Sequence, residues 1–314
     1  MSAKIKQKKR WGDSFVDKRD HKAYQDELLK RYEIYLDLDW VDSWDDELAE
    51  MNKGKRGKPY EYPKSMIEFQ ALLMEKFSSR GAESFTRQLQ KHNLLLRCND
   101  HSTIHRRVTE LDLQFEIPKG NKLHIGHDGS GMKMTNAGEY FQSRYVEGNR
   151  KRAHLMITAT KEDILDVEVV IYEKGMQSET DTAIQHIKNI IQKGGKIEKV
   201  YDDAGYDTKN YFNFLEGLNI ESAVRTRMDN CINANGSMRR KREKLCMKEL
   251  GYKKWAKKKK YGYRWVLTEG HFSGIKRGFG DNARAKKVRN ILIEHKRKVW
   301  IYDKIRKYGR KRNK

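Results

Sequence analysis

Apolar positions in "KSMIEFQALLMEKFSS" (64–79) recur at helical spacing, at Met66, Phe69, Leu72, Leu73, Met74 and Phe77, which predicts a helix with one buried face. From about 23 to 50 the chain, including "YQDELLKRYEIYLDLDWVDSW", reads as helical with an acidic face. Between the two, "NKGKRGKPYEYP" (52–63) reads as a loop, broken by glycine and proline and rich in basic residues. "SFTRQLQKH" predicts a further helix. "DHSTIHRRVTELD" predicts another, with Ser102 as N-cap and Ile104, Val108 and Leu111 on one face. Arg106 and Arg107 then point to solvent. Two short helices before a capped helix with outward arginines suit either a helix-turn-helix or an ordinary bundle with solvated arginines.

From residue 122 the texture changes. "KLHIGHDGSGMKM", "HLMITATKE", "LDVEVVIYEKG" and "KIEKVYDD" are rich in β-branched residues and partly alternating, which predicts strands. "TDTAIQHIKNIIQKGG" (180–195) predicts a helix closed by Gly194 and Gly195. A second helix is expected over 208–218, and "IESAVRTR" predicts another strand. Strands that come first as a group and then alternate with helices imply a mixed sheet with helices packed on it. Residues 228–260 are polar and basic with weak periodicity, and read as a loop or short insertion.

Charge narrows the class of partner. The 314 residues carry a formal net charge of +23, and residues 251–314 hold 23 Lys and Arg against 4 Asp and Glu, a net of +19. Residues 11–50 are the reverse, with 13 acids and 5 Lys and Arg. Such a surplus points to a polyanion, either nucleic acid or an anionic membrane surface. No apolar run approaches the roughly 18–20 residues needed to span a bilayer. No hydrophobic region follows the basic "MSAKIKQKKRW", so a signal peptide is not expected. Cys98, Cys231 and Cys246 are too few and too scattered for a disulfide framework or a zinc site. The expected location is the reducing cytoplasm.

Against this background the placing of acids is informative. "HIGHDGSG" ends a strand on Asp128, "KVYDDAGYD" ends another on Asp202 and Asp203, and Glu269 lies in "YGYRWVLTEGHFSGIKRGFG". Singly, each has an ordinary reading: a turn aspartate, a helix cap, a solvated helix acid. Together, three carboxylates in so basic a chain suggest a divalent-metal site, because Mg²⁺ takes oxygen ligands and needs only two or three from protein. Two such ions about 3.5–4 Å apart serve phosphoryl transfer. The basic surface would then hold a phosphate backbone against the site. His124, His127 and His271 lie in the same segments and read as packing or phosphate-contacting residues ahead of metal ligands.

"HDGSG", "YDDAGYD" and "RWVLTEGHFSGIKRGFGDN", in this order, resemble the three catalytic segments of insertion-sequence transposases of the DDE type, in particular the bacterial and archaeal group with a D-x-G-Y second motif. That group's third segment reads Tyr, two residues, Arg, three residues, Glu, six residues, Lys. Tyr261, Arg264, Glu269 and Lys276 fit it, except that four residues separate Arg264 from Glu269. The departure leaves the role of Arg264 open. The likeness covers about 120–300, and "GKRGKPYEYPKSMIEFQALL" resembles the front half of such proteins.

The resemblance implies an α/β protein: a ribonuclease-H-like catalytic domain, with a mixed sheet and flanking helices, preceded by a small all-α DNA-binding region. The expected bounds are a basic tail (1–22), a helical DNA-binding region (23–118) and a catalytic domain with a basic C-terminal segment (119–314). Asp128 would lie on the first strand, Asp203 just after the fourth and Glu269 on a later helix, as catalytic and metal-binding acids for Mg²⁺ or Mn²⁺, with two ions. Tyr261, Arg264, Lys276 and Arg277, with Arg106, Arg107, Lys55 and Arg56, would contact DNA. The implied partners are the inverted repeats of a transposon, target DNA, and a second copy of the chain in the complex that pairs two ends; no membrane is implied. The implied reaction cuts a phosphodiester at a transposon end and joins the freed 3′-hydroxyl to target DNA. A metal-dependent, structure-specific nuclease of the same fold and a catalytically silent DNA-binding relative are the alternatives. Of the adjacent acids, Asp203 is expected to be the ligand, with Asp202 on the opposite face beside Val200, near the sheet's edge in solvent.

Overall fold

The computed structural model describes residues 20–120, 122–134, 152–171, 177–227 and 236–311. Residues 1–19 of the expected basic tail, and Cys231, lie outside them.

Helix α1 (His21–Glu33) starts on Asp20, whose carboxylate accepts from the N–H groups of Lys22 and Ala23. A 3₁₀ turn (Asp39–Ser43) and α2 (Trp44–Asn52) follow, so the acidic helical pattern is divided into three pieces. Helix α3 (Lys64–Lys91) is kinked at Ser78, with φ 67° and ψ 173°, where the two expected helices meet end to end. Helix α4 (His101–Thr109) buries Ile104 and Val108 as the spacing predicts, but its cap is Asp100 and not Ser102. The Asp100 carboxylate accepts from the Ser102 and Thr103 N–H groups at 2.8 and 3.0 Å, and a negative charge there also suits the helix's positive end. Residues 92–100 part α3 from α4, a longer link than the roughly three or four residues of a helix-turn-helix, which favours the ordinary bundle.

The sheet has five strands: β1 (Lys122–Lys133), β2 (Arg152–Ala159), β3 (Ile164–Ile171), β4 (Lys196–Asp202) and β5 (Glu221–Val224). Their order is β3-β2-β1-β4-β5. β1, β2 and β3 form an antiparallel meander, while β4 runs parallel to β1 and β5 parallel to β4. Crossover helices α5 (Glu179–Gln192) and α6 (Lys209–Gly217) make those parallel steps possible. This is the ribonuclease-H-like arrangement. Gly194, at φ 88°, and Gly195 close α5, their N–H groups donating to the carbonyls of Ile191 and Ile190.

Three apolar clusters hold the layers. Leu123, Ile125 and Val200 on one face pack against Ile187, Ile190, Tyr211 and Phe212 of α5 and α6. On the other, Leu155, Ile157 and Val167 share a core with Leu72 and Leu73 of α3, Ile104 and Val108 of α4, and Val299 and Trp300 of α10 (Val288–Lys311). The N-terminal helices and the sheet thus have one core in common. The third cluster joins Tyr201 and Ala223 to Met247 and Trp255 of α7 (Met238–Lys259).

Helix α7 corrects the expectation of a loop over 228–260, of which residues 228–235 lie outside the described set. It bends at Gly251, where φ is 70°, and it buries charged stems as well as apolar side chains. Arg240 donates to both Asp207 oxygens, at 2.6 and 2.9 Å. An inner face built partly from arginine and lysine has no apolar period to display.

The C-terminal charge is similarly engaged. On α10, Arg297 Nε donates to Glu75 Oε1 at 2.7 Å, Lys304 pairs with Glu68, Arg310 with Asp163, and Lys307 Nζ lies 2.9 Å from Asp303. Among the described residues no helix is long and apolar enough to cross a membrane.

Glu75 and Arg297 are both buried, so removing one partner strands the other away from water. Glu75→Ala should cost on the order of 3–5 kcal/mol in denaturant unfolding, far more than loss of an exposed pair such as Lys58–Glu61. Equal costs for the two would overturn this account of how α3 and α10 are joined.

Candidate active site

Strand alternation sorts the acids. On β4, Val200 lies in the α5–α6 core and Tyr201 in the cluster on the opposite side. Asp202 follows Val200 in facing α5 and α6, and Asp203 follows Tyr201. β1 pairs in parallel with β4 at Ile125 and Val200, and continuing that register sets Asp128 beside Asp203.

Asp202 lies on the expected face but not, as expected, in solvent. It is fully buried, because two helices seal that face. Its Oδ1 accepts from the His127 N–H and from Nδ1–H, both at 2.9 Å, and its Oδ2 accepts from the Tyr211 hydroxyl at 2.7 Å. Asp202 is therefore a structural acid under the site, and His127 is its packing partner. His124 bonds to Glu198 at 2.9 Å. Burial and the charge of Arg306 pull His271 down to about 3, so its neutral ring donates from Nε2 to the Thr160 carbonyl and accepts at Nδ1 from Arg306.

Glu269 reaches Asp128 through a break in the chain. Helix α8 (Arg264–Leu267) stops at Thr268, with φ −131° and ψ −61°, and α9 (Glu269–Phe279) starts afresh with Glu269 in its first turn. A negative charge at that end is favoured. The junction comes down onto β1 at Gly126, where a Cβ would lie 3.0 Å from Leu267 Cβ and 3.1 Å from Thr268 Cγ2. Glycine inside a strand often marks such an approach, a signal present in "HIGHDG". Further along α9, Lys276 Nζ donates to Ser130 Oγ at 2.7 Å and fastens the helix just beyond Asp128.

Arg264 joins the acids. Its Nη1 is 3.4 Å from Asp128 Oδ2 and its Nη2 is 3.4 Å from Glu269 Oε1, both long for charge-assisted bonds, which run to about 2.7–2.9 Å. Burial works against its charge, yet Tyr261, Asp128, Asp203 and Glu269 together hold it above its ordinary value. Burial pushes the Asp128 carboxyl up to about 6; Arg264 and the Gly129 N–H pull it down, while Glu269 and Asp203 push it further up. The three acids and Arg264 thus share one electrostatic environment. Among the described residues no three His, Cys, Asp or Glu side chains are grouped tightly enough to hold an ion as they stand.

The remaining predicted residues divide into two places. Tyr261 is buried against Trp255, 5.1 Å between ring centres, and does not face solvent. Arg277 lies on α9, bonded to the Ser273 carbonyl. Lys55, Arg106 and Arg107 line one groove with Tyr60, whose ring has Arg107 at 4.4 Å and Lys55 at 4.7 Å, and Arg56 is exposed in the same loop. Two neighbours of the site carried no motif: Glu179, first residue of α5, and His154 on β2, whose Nε2 lies 2.8 Å from Glu179 Oε1.

Asp202 and Asp128 should respond oppositely to substitution. Asp202→Ala strands buried donors and should cost on the order of 2–5 kcal/mol. Asp128 has its folded value above the unfolded one, so folding favours its protonated form and its ionised form costs stability. With a pKa raised from 3.8 to about 6, Asp128→Asn should stabilise the metal-free protein by about 1–3 kcal/mol above pH 6. The gain should fade as pH drops through the unfolded value of 3.8, below which both states are protonated. Melts in chelator across that range test this, and a pH-independent gain would refute it.

A family model described as "Transposase DDE domain" matches residues 30–137, a span that includes Asp128 and stops before Asp203 and Glu269. Among solved structures, a chain of the simian T-cell lymphotropic virus intasome complex is 14% identical over 59% of this chain and 66% of its own, with a TM-score of 0.21. The Drosophila P element transposase strand transfer complex gives 15% identity over 58% of this chain and 41% of its own, at 0.29. The catalytic domain of Mos1 mariner transposase gives 10% over 81% and 98%, at 0.24. The chain spans about two thirds and under half the length of the first two, and at such scores the fold rests on the strand order itself. Over residues 30–137, then, the chain is similar to the transposase DDE domain.

Proposed function

We propose that this chain is a transposase that binds transposon ends, cuts DNA by metal-dependent phosphodiester hydrolysis and joins the 3′-hydroxyl ends to target DNA. The observation that supports this reading is that Arg264 lies 3.4 Å from both Asp128 and Glu269, on a ribonuclease-H-like sheet whose parallel register sets Asp203 beside Asp128. The donor set fits magnesium or manganese: all three are hard oxygen ligands, and the burial and repulsion at Asp128 are what a cation would relieve. When bound, such ions supply Lewis-acid stabilisation of charge on a phosphate undergoing in-line displacement.

The chain's own residues do the rest. Asp128, Asp203 and Glu269 would hold the ions; Arg264, 3.4 Å from two of these acids, would turn toward a phosphate oxygen. Lys276 fixes α9 against Ser130 of β1 and so keeps Glu269 over that strand. In the first step water attacks the phosphodiester, leaving a 5′-phosphate and a free 3′-hydroxyl. In the second that hydroxyl attacks a target phosphodiester in line and displaces the other 3′-oxygen. Exposed Lys253, Lys254, Lys257 and Lys258 on α7, next to the Tyr261–Arg264 segment, carry the DNA backbone, with the Arg106–Arg107 groove as a second point of attachment. Pairing of two transposon ends calls for two copies of the chain.

Cleavage and strand-transfer assays on a plasmid bearing the flanking inverted repeats test this. Asp128→Asn, Asp203→Asn and Glu269→Gln should each abolish cutting while end binding in gel shifts persists. Cutting without joining of the 3′ ends would favour a nuclease of the same fold. Binding without cutting by the unaltered chain would favour a silent relative.

Because α10 uses much of its charge internally, DNA affinity should follow the α7 lysines. If six or more phosphates are bound, affinity should drop by roughly three orders of magnitude between about 50 and 200 mM salt. Replacing Lys253, Lys254, Lys257 and Lys258 by alanine should flatten that slope, by about one for each phosphate no longer neutralised. An unchanged slope would move the interface elsewhere.

A further inference from the structure

We infer that Glu179 is a fourth carboxylate of this site and binds the same divalent cations as Asp128 and Asp203; the inference rests on the function proposed above. Two glycines point to it. A Cβ at Gly129, next to Asp128, would lie 2.6 Å from Glu179 Oε1 and 2.5 Å from His154 Nε2, a space that only glycine leaves open. A Cβ at Gly205, two residues past Asp203, would lie 2.9 Å from Asp203 Oδ1 and 4.0 Å from Glu179 Oε2. One carboxylate thus lies against the glycine that follows each acid motif, from opposite ends of its own group.

Its support is built in. Glu179 opens α5 behind the cap of Ser178, where the helix end favours an anion. His154, nearly buried on β2 opposite Gly131, holds Oε1 and leaves Oε2 directed toward the Asp203 turn. Glu179 comes from the α5 side and Asp128 from the other, and Gly129 leaves the way between them open. The buried Tyr206 ring registers the gathering: after burial itself and Asp202, the charges of Glu179, Asp128 and Asp203 all raise its phenol. A histidine clamped to a carboxylate beside the Asp128 and Asp203 turns suits cation binding, since a supporting hydrogen bond orients a ligand and sets its basicity.

Mn²⁺ titration of the full chain, followed by electron paramagnetic resonance, tests this. Glu179→Gln keeps a hydrogen-bonding partner for His154 and removes the charge. It should weaken Mn²⁺ binding by about 10–100-fold, and raise the Mg²⁺ needed for half-maximal cleavage by a similar factor, with DNA-end affinity and melting temperature kept. Glu179→Asp, which keeps the charge but withdraws it by one methylene, should weaken binding less, and serves if the glutamine variant misfolds. Mn²⁺ binding unchanged in either folded variant, while Asp203→Asn lowers it, would make Glu179 a structural partner of His154 and overturn the inference. Mn²⁺ binding unchanged in Asp128→Asn and Asp203→Asn as well would instead overturn the proposed function.

Discussion

Burial of a carboxylate beside like charges sets the character of this molecule's candidate site. Asp128 feels both Glu269 and Asp203, and its burial removes the water that would screen them. Such an arrangement lasts only if the surrounding structure leaves the acids no room to separate. Gly126 admits the Leu267–Thr268 junction, the break at Thr268 puts Glu269 at a helix start, and Lys276 fastens the helix to Ser130. Beneath, the bonds from His127 and Tyr211 to Asp202 fix the end of β4 to β1. Arg264 offsets part of the repulsion from within.

Charge far from the site obeys a different logic. The basic surplus read along the chain is not all presented outward, because α10 pairs its cations with Glu68, Glu75 and Asp163. Those pairs connect the N-terminal helices and the sheet, whose apolar residues already share one core. On α7, by contrast, Lys253, Lys254, Lys257 and Lys258 stay exposed.

Much of this is legible in the residues. The strands declare themselves by alternation, and the order and spacing of Asp128, Asp203 and Glu269 carry the resemblance on which their proposed role rests. Alternation also gives the face of Asp202 but not its burial, since period two says nothing of what lies over a face. Helix α7 escapes notice because Arg240 and Lys244 fill its inner side, where charge reads as solvent. Ser102 is a fair cap by residue type, but Asp100 offers a charged oxygen two positions earlier. Glu179 has no motif to betray it: an acid in a helix's first turn is ordinary, and only the approach of two distant glycines makes it otherwise.

The bond between Glu75 and Arg297 joins residues 222 positions apart. During synthesis, then, α3 and the strands of the meander emerge long before the helix that completes their shared core. Until α10 arrives, Leu72, Leu155 and Val167 have one side without cover, and Glu75 has no arginine. Pairings so distant in sequence form late and slowly, and apolar strand surface waiting for them is open to aggregation in the interval. A ribosome that stalls before residue 288 would therefore release a chain with its acids and its strands in place and its core unsealed, a natural substrate for chaperones and proteases.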